Sequence, residues 1–142
     1  MILLDTNVLS EFMRPQPSSQ VVSWLDAQPA SEIWISAISC AEIELGLALM
    51  AKGKRQEALR QAVQAMFNED FANRCLPFDR AAASHYARIV SARIKAGRPI
   101  SVEDGQIAAI ALTHQMVLAT RNTTDFEQIE GLSLVNPWMG GL

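Results

Sequence analysis

Short apolar runs alternate with longer stretches of helical spacing along this 142-residue chain. Short, mainly apolar runs are typical of buried strands, and they occur at residues 2–4, 33–35, 75–78, 117–119 and 132–135. Apolar residues three or four positions apart predict helices over about residues 7–12, 19–27, 41–51, 59–67, 86–94 and 107–111. This alternation favours the α/β class, with a five-stranded parallel sheet and helices on both faces.

Two details refine this pattern. Pro77 within the third run predicts an edge strand, because proline cannot donate a hydrogen bond to a neighbouring strand. The stretch "LGLALMAKG" is apolar nearly all round, which is typical of a helix buried on most sides. An apolar surface for a second subunit or another partner is the alternative for that stretch.

The composition, 49% hydrophobic and 19% charged, is typical of one globular domain. We expect that domain over residues 1–138 and a mobile tail over residues 139–142. No run approaches the ~20 apolar residues of a membrane span and the N-terminus lacks a basic leader, so we expect a cytoplasmic protein without membrane contacts. Cys40 and Cys75 make no disulfide framework or metal-ligand spacing, and we interpret both as small buried hydrophobic residues.

Four acids stand where this fold class places its ligands. Asp5, Glu42 and Asp125 each follow a predicted strand, and Asp104 begins a predicted helix. Ligands of open parallel sheets bind at the carboxyl ends of the strands, so we expect these acids to meet at one edge. No lysine lies close to them in sequence, and carboxylates without cations raise one another's pKa. Their hard oxygens suit Mg²⁺ or Mn²⁺, and such ions can activate water for phosphodiester cleavage.

Helix capping is the alternative explanation for each acid. Asp5 lies at the start of the first predicted helix, where its side chain can accept bonds from free backbone N–H groups. The other acids each stand three residues after a potential cap, namely Ser39 before Glu42, Ser101 before Asp104 and Asn122 before Asp125. Spacing alone leaves the metal site and the caps equally open.

The formal net charge of −3 argues against a broadly basic surface for nucleic acid. That objection weakens if the four acids bind metal. Without them the formal charge would be +1, and bound divalent ions would meet the phosphate directly.

The chain resembles PIN-domain ribonucleases in four stretches, which occur in the family's order: "MILLDTNVLSE", "ISAISCAEIELG", "ISVEDGQIAAIAL" and "LATRNTTDFEQIEGLSLVNPW". It is most similar to the VapC toxins of toxin–antitoxin pairs, with the FitB-like branch nearest. The resemblance covers about residues 1–138. It implies a five-stranded parallel sheet and a metal-dependent endoribonuclease that acts on RNA.

The resemblance also assigns roles to residues of this sequence. Asp5 and Asp104 match the principal metal-binding aspartates, with Mg²⁺ as the expected ion and Mn²⁺ as an alternative. Glu42 and Asp125 match two further catalytic acids. Asn122 stands where part of the family has an aspartate, so it can hold water or a phosphate oxygen but adds no charge.

Two neighbours of these acids carry open assignments. Thr6 would hydrogen-bond a metal-bound water molecule or cap the first helix. Arg121 would contact an RNA phosphate or form a surface ion pair. By the same resemblance we expect a homodimer, silenced by a cognate VapB-like antitoxin that also binds operator DNA and covers the acidic pocket with a tail.

Two other functions compete with the nuclease. Asn122 motivates the first, a PIN-like module that binds RNA or a protein without cutting. The second is a phosphatase or phospho-acceptor domain of similar topology. It would want an acid two places after Asp5, where this chain has Asn7.

Overall fold

The computed structural model describes residues 1–139, so most of the predicted tail, residues 140–142, lies outside the described part. Its sheet has five strands: Ile2–Leu4 (β1), Ile33–Ser36 (β2), Cys75–Leu76 (β3), Val117–Ala119 (β4) and Leu134–Val135 (β5). Their order is β3-β2-β1-β4-β5, and every neighbouring pair is parallel. The predicted five-stranded parallel sheet is confirmed, and β3 is the edge strand that Pro77 indicated.

In the described part of the chain, six α-helices connect and cover the strands: Thr6–Glu11 (α1), Ser19–Asp26 (α2), Ala37–Leu49 (α3), Lys54–Ala65 (α4), Arg80–Lys95 (α5) and Val102–Thr113 (α6). None of the helices within residues 1–139 is long and apolar enough to cross a bilayer.

The helices cover both faces of the sheet, as predicted. Successive strand residues point to opposite faces, so the neighbours Leu3 and Leu4 belong to different core clusters. Leu3 packs with residues of α5 and α6, and Leu4 packs with residues of α1 to α4. Both leucines are fully buried, and each such burial contributes roughly 1.5–3 kcal/mol to stability.

Strand order reverses at β1, which has β2 on one side and β4 on the other. The chain leaves β1 at Asp5 and β4 at Thr120, so these two residues stand side by side beyond the carboxyl ends of the strands. Backbone pairing continues into them, because Asp5 N–H donates to Ala119 O and Thr120 N–H donates to Val135 O, both at 2.9 Å. The fold therefore opens its ligand-binding crevice at Asp5.

Helix α3 differs from the sequence-based prediction at its start and on one face. It begins at Ala37, four residues before the predicted start, because the hydroxyl of Ser36 caps it directly at the end of β2. The predicted burial is wrong for Leu45 and Leu49, which are 60% and 78% exposed. Ile43 and Leu47 bury the other face, so the helix presents leucines both to the core and to the surface.

The interpretation of the cysteines as buried residues is wrong for Cys75. Cys75 is exposed on the edge strand, and Cys40 on α3 is half-buried beside it, with 3.8 Å between the two Sγ atoms. Burial, together with the neighbouring Cys75, raises the pKa of the Cys40 thiol to about 12. The two thiols are in contact and form no disulfide.

Candidate active site

Asp5 lies between β1 and α1 and is only 4% exposed. Its Oδ1 accepts the Thr6 backbone N–H at 2.8 Å, which caps α1. Its Oδ2 accepts the Thr120 hydroxyl at 2.7 Å and the Asn7 amide at 3.3 Å. Burial raises the pKa of the Asp5 carboxyl, and the charges of nearby acids add to the rise, while the bonds from Thr120 and Thr6 oppose it. Asp5 therefore caps α1 and also belongs to the candidate site.

Glu42 lies in the second turn of α3, close to the first turn of α1. The Thr6 hydroxyl donates to Glu42 Oε1 at 2.7 Å and also contacts the Ser39 hydroxyl at 2.8 Å. Because α3 begins at Ala37, Ser39 and Glu42 do not form the predicted capping pair. The hydroxyl of Thr6 instead joins Glu42 to the segment that carries Asp5.

Asp104 lies in the first turn of α6 and is half-buried. The Ser101 hydroxyl caps this helix by accepting the Asp104 backbone N–H at 3.1 Å. Burial and then the charge of Asp5 raise the pKa of the Asp104 carboxyl to about 6, with further increases from Asp125 and Glu42 and an opposing bond from Ser101. The Asp104 carboxylate therefore experiences the charges of all three other predicted acids.

Asp125 lies on a short 3-10 turn, Thr123–Phe126, and its side chain is exposed. The buried guanidinium of Arg93 on α5 donates to the Asp125 carbonyl at 3.1 Å, which holds this turn against the domain. The Asp125 side chain is not part of the groove wall described below. Its charge still raises the pKa of both Asp5 and Asp104, so it lies at the margin of the site.

A groove of about 490 Å³ opens at this edge of the sheet. Two sets of side chains with different chemistry line it. The acid cluster consists of Asp5, Glu42 and Asp104, and the arginine–tryptophan cluster consists of Arg14, Arg121 and Trp138. Asn122 also lines the groove, and it caps no helix with its side chain.

The acid cluster fits a divalent cation in its chemistry. Its side-chain donors are all hard carboxylate oxygens, which magnesium and manganese prefer. Neither Asp5 nor Asp104 takes part in the ion pairs found among residues 1–139. A cation would offset both the burial and the neighbouring negative charges that raise the pKa of these two carboxyls. In the same range no three potential metal-ligating side chains already converge on one point, so the acids line an open groove rather than a closed cage.

The structure adds four residues that the sequence did not single out. Thr120 directly follows a predicted strand, just as Asp5 does, so the strand-end rule was sufficient to find it. Glu11, Arg14 and Trp138 carried no such signal, because helix packing and the path after β5 bring them to the groove. Of the two assignments left open for Arg121, the surface ion pair is not among the ion pairs within residues 1–139.

A family model for the PIN domain matches residues 2–132. Toxin FitB of Neisseria gonorrhoeae is 44% identical over 97% of this chain and 99% of its own length. VapC ribonuclease Y4jK of Sinorhizobium fredii is 41% identical over 97% of this chain and 98% of its own length.

Solved structures agree with these relatives. FitAB bound to the IR36 DNA fragment superposes with a TM-score of 0.90 at 44% identity, covering 97% of this chain and 96% of the other. VapBC2 from Rickettsia felis, bound to a DNA fragment from its promoter, gives a TM-score of 0.80 at 26% identity, covering 96% and 98%. The chain therefore belongs to the PIN-domain family, among the toxins of the FitB and VapC type, as the four sequence stretches predicted.

Proposed function

We propose that this protein is the endoribonuclease toxin of a toxin–antitoxin pair, and that it hydrolyses RNA phosphodiester bonds with Mg²⁺ held by Asp5 and Asp104. The carrying observation is the convergence of two carboxyls with raised pKa at the point where strand order reverses. A relative that is 41% identical is named a ribonuclease, which supports the reaction class.

PIN-domain ribonucleases depend on a divalent metal, and Mg²⁺ is our proposal for the ion, with Mn²⁺ as the alternative. A divalent cation at the acids would stabilise charge on the phosphate and make water a better nucleophile. Asp5 and Asp104 would supply oxygens to it, with Glu42 and Asp125 contributing negative charge. Asn122, at the groove wall, would hydrogen-bond a water molecule or a phosphate oxygen.

The residues around the acids would set their orientation. The hydroxyl of Thr120 and the backbone N–H of Thr6 each occupy one oxygen of Asp5, so this carboxylate has a fixed rotamer. The Thr6 hydroxyl fixes Glu42 in the same way. Such supporting hydrogen bonds keep ligand oxygens in place before the cation arrives.

The decisive experiment incubates purified protein with single-stranded RNA in Mg²⁺, in Mn²⁺ and in EDTA, and maps new RNA ends. We expect internal cleavage with metal and none with EDTA, and Mg²⁺ should restore cleavage after chelation. RNA binding without cleavage under every metal condition would instead support the non-cutting PIN-like module that Asn122 motivated.

We also propose a cytoplasmic protein that forms a homodimer and pairs with a VapB-like antitoxin able to bind operator DNA. DNA-bound structures of FitAB and VapBC2 support the partner. The exposed Leu45 and Leu49 on α3 support a second subunit, because they leave adjacent apolar surface uncovered.

A further inference from the structure

The arginine–tryptophan cluster lies in the same groove as the acids, and its central contact is a stack. The Arg121 guanidinium carbon lies 4.9 Å from the centre of the Trp138 ring. The Arg121 backbone N–H donates to the Asn7 side-chain oxygen at 3.2 Å, which ties this residue to α1. The stack and the missing ion pair within residues 1–139 leave the guanidinium N–H groups available to a ligand.

Asn136 holds the two members of the stack together. Its side-chain oxygen accepts the Trp138 backbone N–H at 2.9 Å, and its amide donates to the Arg121 carbonyl at 3.4 Å. Trp138 is half-buried and packs against the core cluster of Leu4. The indole therefore has a fixed place, and the Arg121 guanidinium lies over its face.

Arg14 adds a second cation to the groove wall. Its guanidinium contacts the buried Glu11 carboxylate at 3.2 and 3.3 Å, yet 63% of the Arg14 side chain is exposed. Glu11 also accepts the Ser18 backbone N–H at 2.7 Å, so the carboxylate that holds Arg14 is itself anchored. Arg14 and Arg121 thus both line the groove, and each has N–H donors available to a ligand.

An RNA strand that presents a phosphate to the acid cluster carries another phosphate one nucleotide away. The acids repel that neighbouring phosphate, and the chain has a net charge of −3, so a local cation must hold it. Arginine suits this task, because its planar fork can donate two parallel hydrogen bonds to phosphate oxygens. A stacked guanidinium also offers its outer face to an unpaired base.

We propose that Arg121 and Arg14 bind the phosphate next to the scissile one in single-stranded RNA, with Trp138 as the positioning residue that keeps the Arg121 guanidinium in place. This proposal rests on the proposed function, since the acid cluster must bind the scissile phosphate. In this proposal the arginine–tryptophan cluster binds the RNA, and the acid cluster carries out the cleavage.

Kinetics on a short single-stranded RNA test this assignment. Arg121→Gln should raise KM about tenfold with little change in kcat, because it removes charged hydrogen bonds that are present before the reaction begins. The slope of log KM against log salt should fall by about 0.7, the value for one phosphate contact on a single strand. Arg80→Gln is the matched control, since Arg80 is exposed on α5 outside the groove, and it should behave as wild type.

Two Trp138 variants distinguish a role in positioning Arg121 from a role in folding. Trp138→Phe keeps an aromatic face, so its KM should stay close to the wild-type value. Trp138→Leu removes that face, so its KM should rise while kcat stays unchanged. Fluorescence anisotropy of the labelled RNA in EDTA supplies a readout independent of cleavage, and Arg121→Gln should weaken this binding as well.

The outcomes distinguish this proposal from the proposed function. Cleavage by wild type with an unchanged KM and salt slope in Arg121→Gln would overturn the RNA subsite and leave the nuclease intact. Unchanged RNA binding with a weakened antitoxin complex would assign the cluster to the protein partner and also overturn it. RNA binding that depends on Arg121 in a protein that never cleaves would keep the subsite and defeat the nuclease.

Discussion

Asp5 and Glu11 are equally buried, at 4% exposure each, and their pKa values shift in opposite directions. The Ser18 backbone N–H, followed by Arg14, holds the pKa of the Glu11 carboxyl below its ordinary value. Burial raises the pKa of Asp5, and the nearby acids add to it. Burial alone therefore does not set the direction of a carboxyl's pKa shift, because the hydrogen-bond donors and charges around the carboxyl also contribute.

The same contrast runs through the whole groove. Beside the arginine–tryptophan cluster, the negative charge of Glu11 has a cationic partner in Arg14, and these contacts contribute to stability without further ligands. In the acid cluster Asp5, Glu42 and Asp104 line one groove, and the charge of Glu42 raises the pKa of both aspartates, which costs stability in the absence of a cation. Carboxyls with a raised pKa, such as those of Asp5 and Asp104, concentrate at functional sites.

We expect the largest effect in RNA cleavage, where substitution of Asp104 and of its neighbour Glu103 should give very different activities. Asp104→Ala should lower kcat/KM for RNA by more than about a hundredfold, because metal stabilisation of the phosphate is worth several kcal/mol. Glu103→Ala, one residue earlier in the same helical turn, should leave activity near wild type, because Glu103 is exposed outside the groove wall. Equal losses in both variants would point to the helix terminus rather than to a metal site.

Metal-free stability should change in opposite directions with pH for the two kinds of carboxyl. The Asp104 pKa rises from 3.8 to about 6 on folding, so the free energy of unfolding should fall as pH increases through this interval. Asp104→Asn should remove that fall and be more stable than wild type at pH 7, by roughly 1 kcal/mol once solvent screening of a half-exposed group is considered. Urea unfolding in EDTA, monitored by tryptophan fluorescence at several pH values, measures this free energy of unfolding.

Glu11→Gln is the counterpart in that experiment. The Glu11 pKa falls below 4.5 on folding, so its contribution is present at neutral pH and is lost as pH falls below that value. The variant should therefore be less stable than wild type at pH 7, and the difference should shrink in acid. A loss of stability in Asp104→Asn at pH 7 would mean that Asp104 acts mainly in helix capping.

The smallest effect concerns the position where part of the family carries an aspartate. Asn122→Asp should increase Mg²⁺ affinity by about threefold, because it adds one carboxylate at the groove wall at a distance that solvent partly screens. Isothermal titration calorimetry measures this change. Asn68→Asp adds the same charge at an exposed position outside the groove and should leave the affinity unaltered; an equal increase there would indicate a general charge effect.

Much of the fold was predictable, because strands and helices leave periodic apolar patterns that need no tertiary information. The strands at residues 2–4 and 117–119 appear as predicted, and Asp5 follows from the strand-end rule. The start of α3 was missed because Ser36 both ends β2 and caps the helix, so no turn residue separates the two elements. Burial of Leu45 and Leu49 was misjudged because apolar residues occur nearly all round this helix, so the pattern does not show which leucines reach the surface.

The sequence by itself determined the sheet, the edge at which its strands end and the acids placed there, because these depend on residue type and local spacing. Tertiary structure alone decided which carboxylates have partners. Asp5 meets Thr120, 115 residues further along the chain, only after β1 and β4 pair, and Arg121 meets Trp138 only after β4 and β5 lie side by side. Partners that are distant along the chain set the electrostatic energy of a site, and the fold brings them within hydrogen-bonding distance.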